Sequence, residues 1–304
     1  VSRLRIRFDK RGKVRFTSHR DVARIWERAL RRAGVPVAYS EGFSPRPRLS
    51  FGLALSTGYT SDAEYLDVHL SADARAASFS DAAGLASVLS EHLPVGMSVI
   101  AVREVDSGLP SLQQAVTSCT WRIDVSAADA AAVEEAVRVA WESEELIVTR
   151  TRKSRQVVDD IRPLVISLEV EAAAAGVSEA AATGAERAAE EAAGEGFATG
   201  TDENALAGAE RAATGVGEGA GAIAGGKAVA SGPIHDRNGS CVRVIAELGT
   251  QPRAVRVPEL LAALDPAVSE RHVHRTHQWI LTHDGLRTDP MSVDVPSPAA
   301  SGAK

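Results

Sequence analysis

At 304 residues, 44% of them hydrophobic, the chain is long enough for one large domain or two ordinary ones; its two cysteines, Cys119 and Cys241, form no metal-spaced group and fit the free thiols of a reducing cytosol. The net charge of −6 hides two opposed blocks, because residues 1–50 carry 14 Lys/Arg against four acids while residues 169–220 are strongly acidic, so the global value does not exclude a polyanionic partner. No apolar run has the length of a signal peptide or a membrane span, which predicts a cytoplasmic protein without membrane contact.

The first element alternates Leu4, Ile6 and Phe8 with Arg3, Arg5 and Arg7, the period of a strand with one apolar face and one row of guanidinium groups. Lys10 to Lys13 reads as a turn, with Val14 and Phe16 continuing the pattern as a hairpin or bulged strand. A helix begins after Ser18, an N-cap with Asp21 three positions on. Its buried stripe is Val22, Ile25, Trp26, Ala29 and Ala33, Gly34 caps its end, and Arg20, Arg24, Arg28, Arg31 and Arg32 make the solvent side positive. Strands are expected at 37–39, 48–55 and 65–70, a helix at 80–93 and a strand at 95–105. That order is the ferredoxin-like plan, with one sheet face under helices and the other open.

A second unit follows the same reading. Strands at 118–125, 146–151 and 164–170 surround a helix at 128–140, and the pattern then stops in an Ala-, Gly- and Glu-rich stretch without large apolar anchors. Order resumes at Cys241 with a strand, a helix at 258–264 and a last strand at 271–281, so the strands left at Val170 and entered at Cys241 are candidates for neighbours. The expected organisation is therefore α+β. Two ferredoxin-like α/β units are divided as 1–110, 111–170 and 233–288, with a long flexible acidic insertion at 171–232 and a disordered tail at 289–304.

Function concentrates between Phe16 and Glu64. The loop Gly42-Phe43-Ser44-Pro45-Arg46-Pro47-Arg48 combines a permissive glycine, two stiffening prolines and two arginines whose forked donors match phosphate oxygens. With Arg20, Arg24 and Arg28 of the helix it makes a phosphate- or RNA-contacting surface; the alternative is a solvated turn paired with Glu41 and Asp62. His19, beside the helix start, and Glu64 are weak candidates for proton transfer, against a purely structural or ligand-contacting role. Gly58 and Tyr59 open a small polar loop in which Tyr59 either stacks on a base or covers the sheet edge. Aromatic content of 4% argues against an extensive stacking surface. Arg150, Arg152 and Lys153 form a second basic run, which either extends the first patch into a groove or belongs to a solvated hairpin. His272, His274 and His277 have no cysteine nearby and no recognised ligand spacing, so no metal and no cofactor are expected.

Phe16-Thr17-Ser18-His19-Arg20-Asp21, Arg28-Ala29-Leu30-Arg31-Arg32-Ala33, Tyr39-Ser40-Glu41-Gly42-Phe43-Ser44-Pro45 and Gly58-Tyr59-Thr60-Ser61 together resemble the radical-SAM-linked proteins of the DUF2344 family, in a standalone form. The likeness is specific through Leu70, weaker through Val170, and resumes near Cys241. It implies a partnership with a radical-SAM protein and assigns no catalytic residue. Two cysteines cannot supply the thiolate triad of a self-contained radical-SAM centre. The sequence thus predicts an RNA-binding accessory protein in RNA modification or processing, contacting structured RNA. The alternative is a module that presents substrate to a radical-SAM or RNA-processing protein supplied in trans.

Overall fold

Alternation and helical periodicity resolve into a mixed α+β fold, seen in a computed structural model that describes residues 2–71, 81–126, 130–152, 155–171, 241–265 and 267–292. The first half contains β1 (Ser2–Lys10), α1 (His19–Arg32), β2 (Leu49–Phe51), β3 (Thr60–His69), α2 (Ala82–Glu91) and β4 (Val99–Asp106). The second contains the short α3 (Leu112–Ala115), β5 (Val116–Ser126), α4 (Ala130–Glu142), β6 (Ile147–Arg152), β7 (Arg155–Asp160) and β8 (Val165–Glu171). It finishes with β9 (Cys241–Gly249), α5 (Val257–Leu264), β10 (Ser269–Leu281) and β11 (Arg287–Thr288).

Nine of these strands make one sheet in the order β4-β1-β3-β10-β5-β9-β8, with β2 also on β3 and β11 also on β10. Within the first half β1 lies antiparallel between β3 and β4, and β2 pairs antiparallel with the C-terminal part of β3. In the second half β5 lies antiparallel between β9 and β10, and β8 pairs antiparallel with β9. The strands left at Val170 and entered at Cys241 are therefore neighbours, Val170 opposite Val244 and Glu171 opposite Arg243. The halves join where β3 and β10 run parallel, Thr60 opposite His274 and Ser61 opposite Arg275.

Each half has its own apolar core. Leu4, Ile6 and Phe8 of β1 and Leu66 and Val68 of β3 pack with Trp26 and Leu30 of α1 and Leu89 of α2. Trp26 meets Phe8 edge-on at 4.9 Å between ring centroids, a geometry that adds to the area both rings bury. In the second half Ile123, Val244 and Leu168 pack with Val133 and Val137 of α4 and Leu260 of α5.

The arginine row of β1 is not an open face. Arg5 is 1% exposed and donates two bonds to Asp67, at 2.7 and 2.9 Å. Arg3 donates to the carbonyls of Asp106 and Leu109 at 2.8 and 2.7 Å, and Arg5 also reaches Pro290 O at 2.9 Å. Ala63, Tyr65, Leu112 and Met291 form a small cluster beside them. The sheet is covered at this point on the side expected to be free, because buried guanidinium groups need fixed acceptors and the chain beyond β4 and β11 supplies them.

Other local expectations change as well. Gly12 turns the chain at φ +55°, and Gly12–Phe16 forms a 3-10 helix in place of a continued strand; Val14 is buried while its carbonyl accepts from both Thr17 N and Thr17 Oγ1. The expected strand at 37–39 is reduced to isolated pairs, Val37 with Leu70 and Tyr39 with Pro47, since proline at 36, 45 and 47 removes ladder donors. The tail expected from 289 is tied down through Ser292 by a 3-10 turn and by bonds from Arg5 and Arg103 to Pro290 O and Met291 O. The rest of that tail, and the acidic insertion from 172 to 232, lie outside the described residues.

Candidate functional site

α1 owes its direction to its cap. Ser18 Oγ accepts from Asp21 N at 3.2 Å while its hydroxyl donates to the Asp21 carboxylate at 2.7 Å, which fixes the first turn and holds that carboxyl below its usual range. With Val22, Trp26, Ala29 and Leu30 buried beneath, the arginines at 20, 24, 28, 31 and 32 are all exposed. At about 100° per residue they span roughly 120° of the helix circumference and about 18 Å of its length. That length matches about five phosphates on one strand of a duplex. Arg24 approaches Asp21 at 3.4 Å; Arg20, Arg28, Arg31 and Arg32 make no ion pair among the described residues.

The proline-arginine loop is braced at its base. Ser40 N donates to Arg46 O at 2.9 Å, Arg46 N to Ser40 Oγ at 3.0 Å and Arg48 N to Ala38 O at 2.8 Å. Gly42 takes φ +120°, a conformation open to glycine and strained for other residues. Pro45 and Pro47 flank Arg46, and Arg46 and Arg48 are both exposed without an ion pair among the described residues. Phe43 stands at the tip, completely exposed. Of the arginines that make residues 1–50 basic, those of β1 neutralise internal carboxylates and those of α1 and the loop face outward. The charge tally by itself did not separate the two sets.

His19 and Glu64 line one narrow cleft together with Lys10, Phe51 and Leu53. His19 is exposed and meets Phe51 edge-on at 5.1 Å. Glu64 is buried and accepts from Arg275 Nη2 at 2.5 Å, while the same nitrogen donates to Leu53 O at 2.8 Å. Lys10 is 3% exposed and donates to Thr17 O at 3.1 Å; burial lowers its pKa, and the neighbouring Glu64 opposes that shift. The cleft's free volume, about 20 Å³, admits about one water-sized group. Sequence reading put Lys10 in a turn and offered Arg275 only as a nucleic-acid or domain contact, placing neither at this cleft, yet each carries a signal: Lys10 continues the core-facing set of Leu4, Ile6 and Phe8, and Arg275 follows Val273 by two residues.

The remaining candidates lie apart from this surface or outside description. Tyr59 is half-buried, edge-on to Trp121 at 6.1 Å, and donates to Glu270 at 2.7 Å; burial and that carboxylate raise its pKa. Gly58 precedes it at φ +93°. Arg150 pairs with Asp159 at 2.5 Å in the β6–β7 hairpin, a separate two-stranded sheet. Arg152 ends β6, and Lys153 lies outside the described residues.

The histidines of β10 stitch the two halves. Thr60 Oγ1 lies 2.8 Å from both His272 Nε2 and His274 Nδ1, and His274 Nε2 lies 3.1 Å from Asp62. Beyond them, hydrogen bonding by His272 and then by Arg243 holds the Asp124 carboxyl down at about 2. His277 stacks on Trp279 at 4.9 Å. Among the described residues no group of three His, Cys, Asp or Glu side chains is placed to hold a metal ion, and no helix is long and apolar enough to cross a membrane.

Comparison with known proteins bears on the same region. No curated protein matches the chain. The family model described as "uncharacterized protein conserved in bacteria (DUF2344)" matches residues 3–192, from β1 through β8 into the acidic segment, leaving β9 to β11 outside the match. That span includes α1, the proline-arginine loop and the Gly58 turn and exceeds half of the chain, so the chain belongs to the DUF2344 family.

Proposed function

We propose that this protein is an RNA-binding accessory factor of RNA modification or processing, gripping the phosphates of structured RNA with α1 and the Gly42 to Arg48 loop. One observation carries the reading: six exposed arginines, Arg20, Arg28, Arg31, Arg32, Arg46 and Arg48, make no ion pair among the described residues. Arg3, Arg5 and Arg7, close by in sequence, are spent on Asp67 and Asp289. Guanidinium groups left free on a helix and a braced loop suit phosphate oxygens, and the backbone that carries them is set before RNA arrives. Strand order supports the architectural side of the proposal, two ferredoxin-like units placed side by side, since each half has its first strand between its third and its last. A cytoplasmic setting agrees with the buried free thiol of Cys119.

The test is a binding titration of the purified chain against structured RNA across salt concentrations. Six phosphate contacts give a log–log slope of about −5 on a duplex; absence of binding at low salt defeats the proposal. A second reading, presentation of substrate to a radical-SAM partner, draws on the wholly exposed Phe43. Co-purification of such a partner that survives nuclease treatment favours it over RNA.

A further inference from the structure

A second feature of the same surface does not serve phosphate binding. Where α1 ends, Leu30 and Val35 form the floor of a pocket walled by Tyr39 and Pro47, with Glu27 and Arg31 at its mouth. Leu30 and Val35 are 1% and 8% exposed, whereas Tyr39 is 55% exposed. The free volume is about 180 Å³, below the roughly 300–1,000 Å³ of a site for a whole drug-sized ligand. It therefore suits one ring with its substituents.

Charge identifies the ring. Arg31 lines the pocket, and Pro47 of its wall is flanked in the chain by the exposed Arg46 and Arg48. An apolar slot with Arg31 in its lining, and with the exposed Arg46 and Arg48 next to Pro47 in the chain, suits a planar ring carried between two anionic groups, the arrangement of a nucleotide within a strand. An apolar side chain of a protein partner would fill the slot and leave the three arginines without counter-charges. The Glu27 carboxylate adds an acceptor for an exocyclic amino group. Bases in an A-form duplex are stacked and inaccessible to such a slot, whereas bases of a single-stranded loop or end can turn out into it.

We infer that this pocket receives one unstacked base of single-stranded RNA, held against Tyr39, while Arg31, Arg46 and Arg48 hold the adjoining phosphates. The inference rests on the RNA-binding reading and names the structural class of RNA that the surface selects. Adenine, cytosine and guanine carry the amino group that Glu27 accepts and uracil does not, so an all-uridine strand binds more weakly than a mixed one.

The experiment compares the full chain with its Tyr39→Ala and Tyr39→Phe variants, binding a short single-stranded oligoribonucleotide and the same backbone with every base removed. Tyr39→Ala should weaken binding of the intact strand by about tenfold, the scale of one base–aromatic stack. It should leave the abasic strand and the salt slope unchanged, and Tyr39→Phe should restore affinity. Equal loss on both strands, or none on either, overturns the inference. So does loss of a co-purifying protein with RNA binding intact, which would give the pocket to a protein. Binding of duplex but not single strand overturns the inference alone; failure of the unaltered chain to bind any RNA overturns the function it rests on.

Discussion

Asp67→Ala removes the anion that two buried cations share. Asp67 is wholly buried, the Arg3 and Arg5 side chains are 5% and 1% exposed, and their closest approaches to it are 3.5 and 2.7 Å. Without the carboxylate both guanidinium groups keep backbone carbonyls as partners, but none of these carries a full charge. Breaking a buried ion pair from one side costs about 3–5 kcal/mol, a large part of the roughly 5–15 kcal/mol that holds a domain folded. The expected fall in Tm is about 6–20 °C, at about 2–4 °C per kcal/mol for a unit of this size. Urea titration followed by circular dichroism reads the loss as a lower midpoint at unchanged slope. The triple variant Arg3→Met, Arg5→Met, Asp67→Leu replaces the whole group by apolar side chains and should recover most of the stability. A loss below about 1 kcal/mol in Asp67→Ala would refute the argument, because it would mean that water reaches the two arginines.

Arg28→Ala and Arg46→Ala should each weaken RNA binding uniformly across sequences and reduce the salt slope by about 0.9 on a duplex, read by fluorescence anisotropy. Trp26→Ala, which empties the centre of the first core, should cost about 3–5 kcal/mol in the same urea titration. The depressed Asp124 carboxyl contributes stability that is present above the unfolded carboxylate value of about 3.9 and is lost as pH falls through about 2. Acid titration of the native protein should show this loss between about pH 4 and pH 2, and Asp124→Asn should remove that component. Burial pushes the Cys119 thiol up to about 11, so in a Cys241→Ser variant a thiol reagent at pH 8 should react only after urea is added.

Periodicity made the elements of the core legible. The two-residue alternation of β1 and the three-and-four spacing of Val22, Trp26 and Ala29 locate their elements because burial demands those periods. Alternation does not say which polar face is also buried. Arg3, Arg5 and Arg7 look in sequence like the exposed arginines of α1, and only their distant partners, Asp67 and Asp289, distinguish them. The base of the cleft was hidden for the same reason: Lys10 and Glu64 come from the first half, while Arg275 reaches them from a strand 211 residues beyond Glu64. In the loop, the Gly42 and proline signals identified a turn, and the pocket beside it emerged only when Pro47 was set against Tyr39 and the end of α1.

β10 begins 200 residues after β3 ends, yet it lies between β3 and β5 in the middle of the sheet. β2 covers the C-terminal part of one edge of β3, from Leu66 to Val68, whereas Thr60 and Ser61 on that edge wait for His274 and Arg275. Between completion of β3 at His69 and the start of β10 at Ser269 the ribosome adds 200 residues, about 10–40 s of synthesis. Throughout that interval the nascent chain presents an open strand edge on β3, and from Ser126 onward one on β5 as well, the kind of surface that recruits foreign strands. β10 acts as a delayed closure: a chain cut short before it would lack both a strand of its second half and the strand that joins that half to β3.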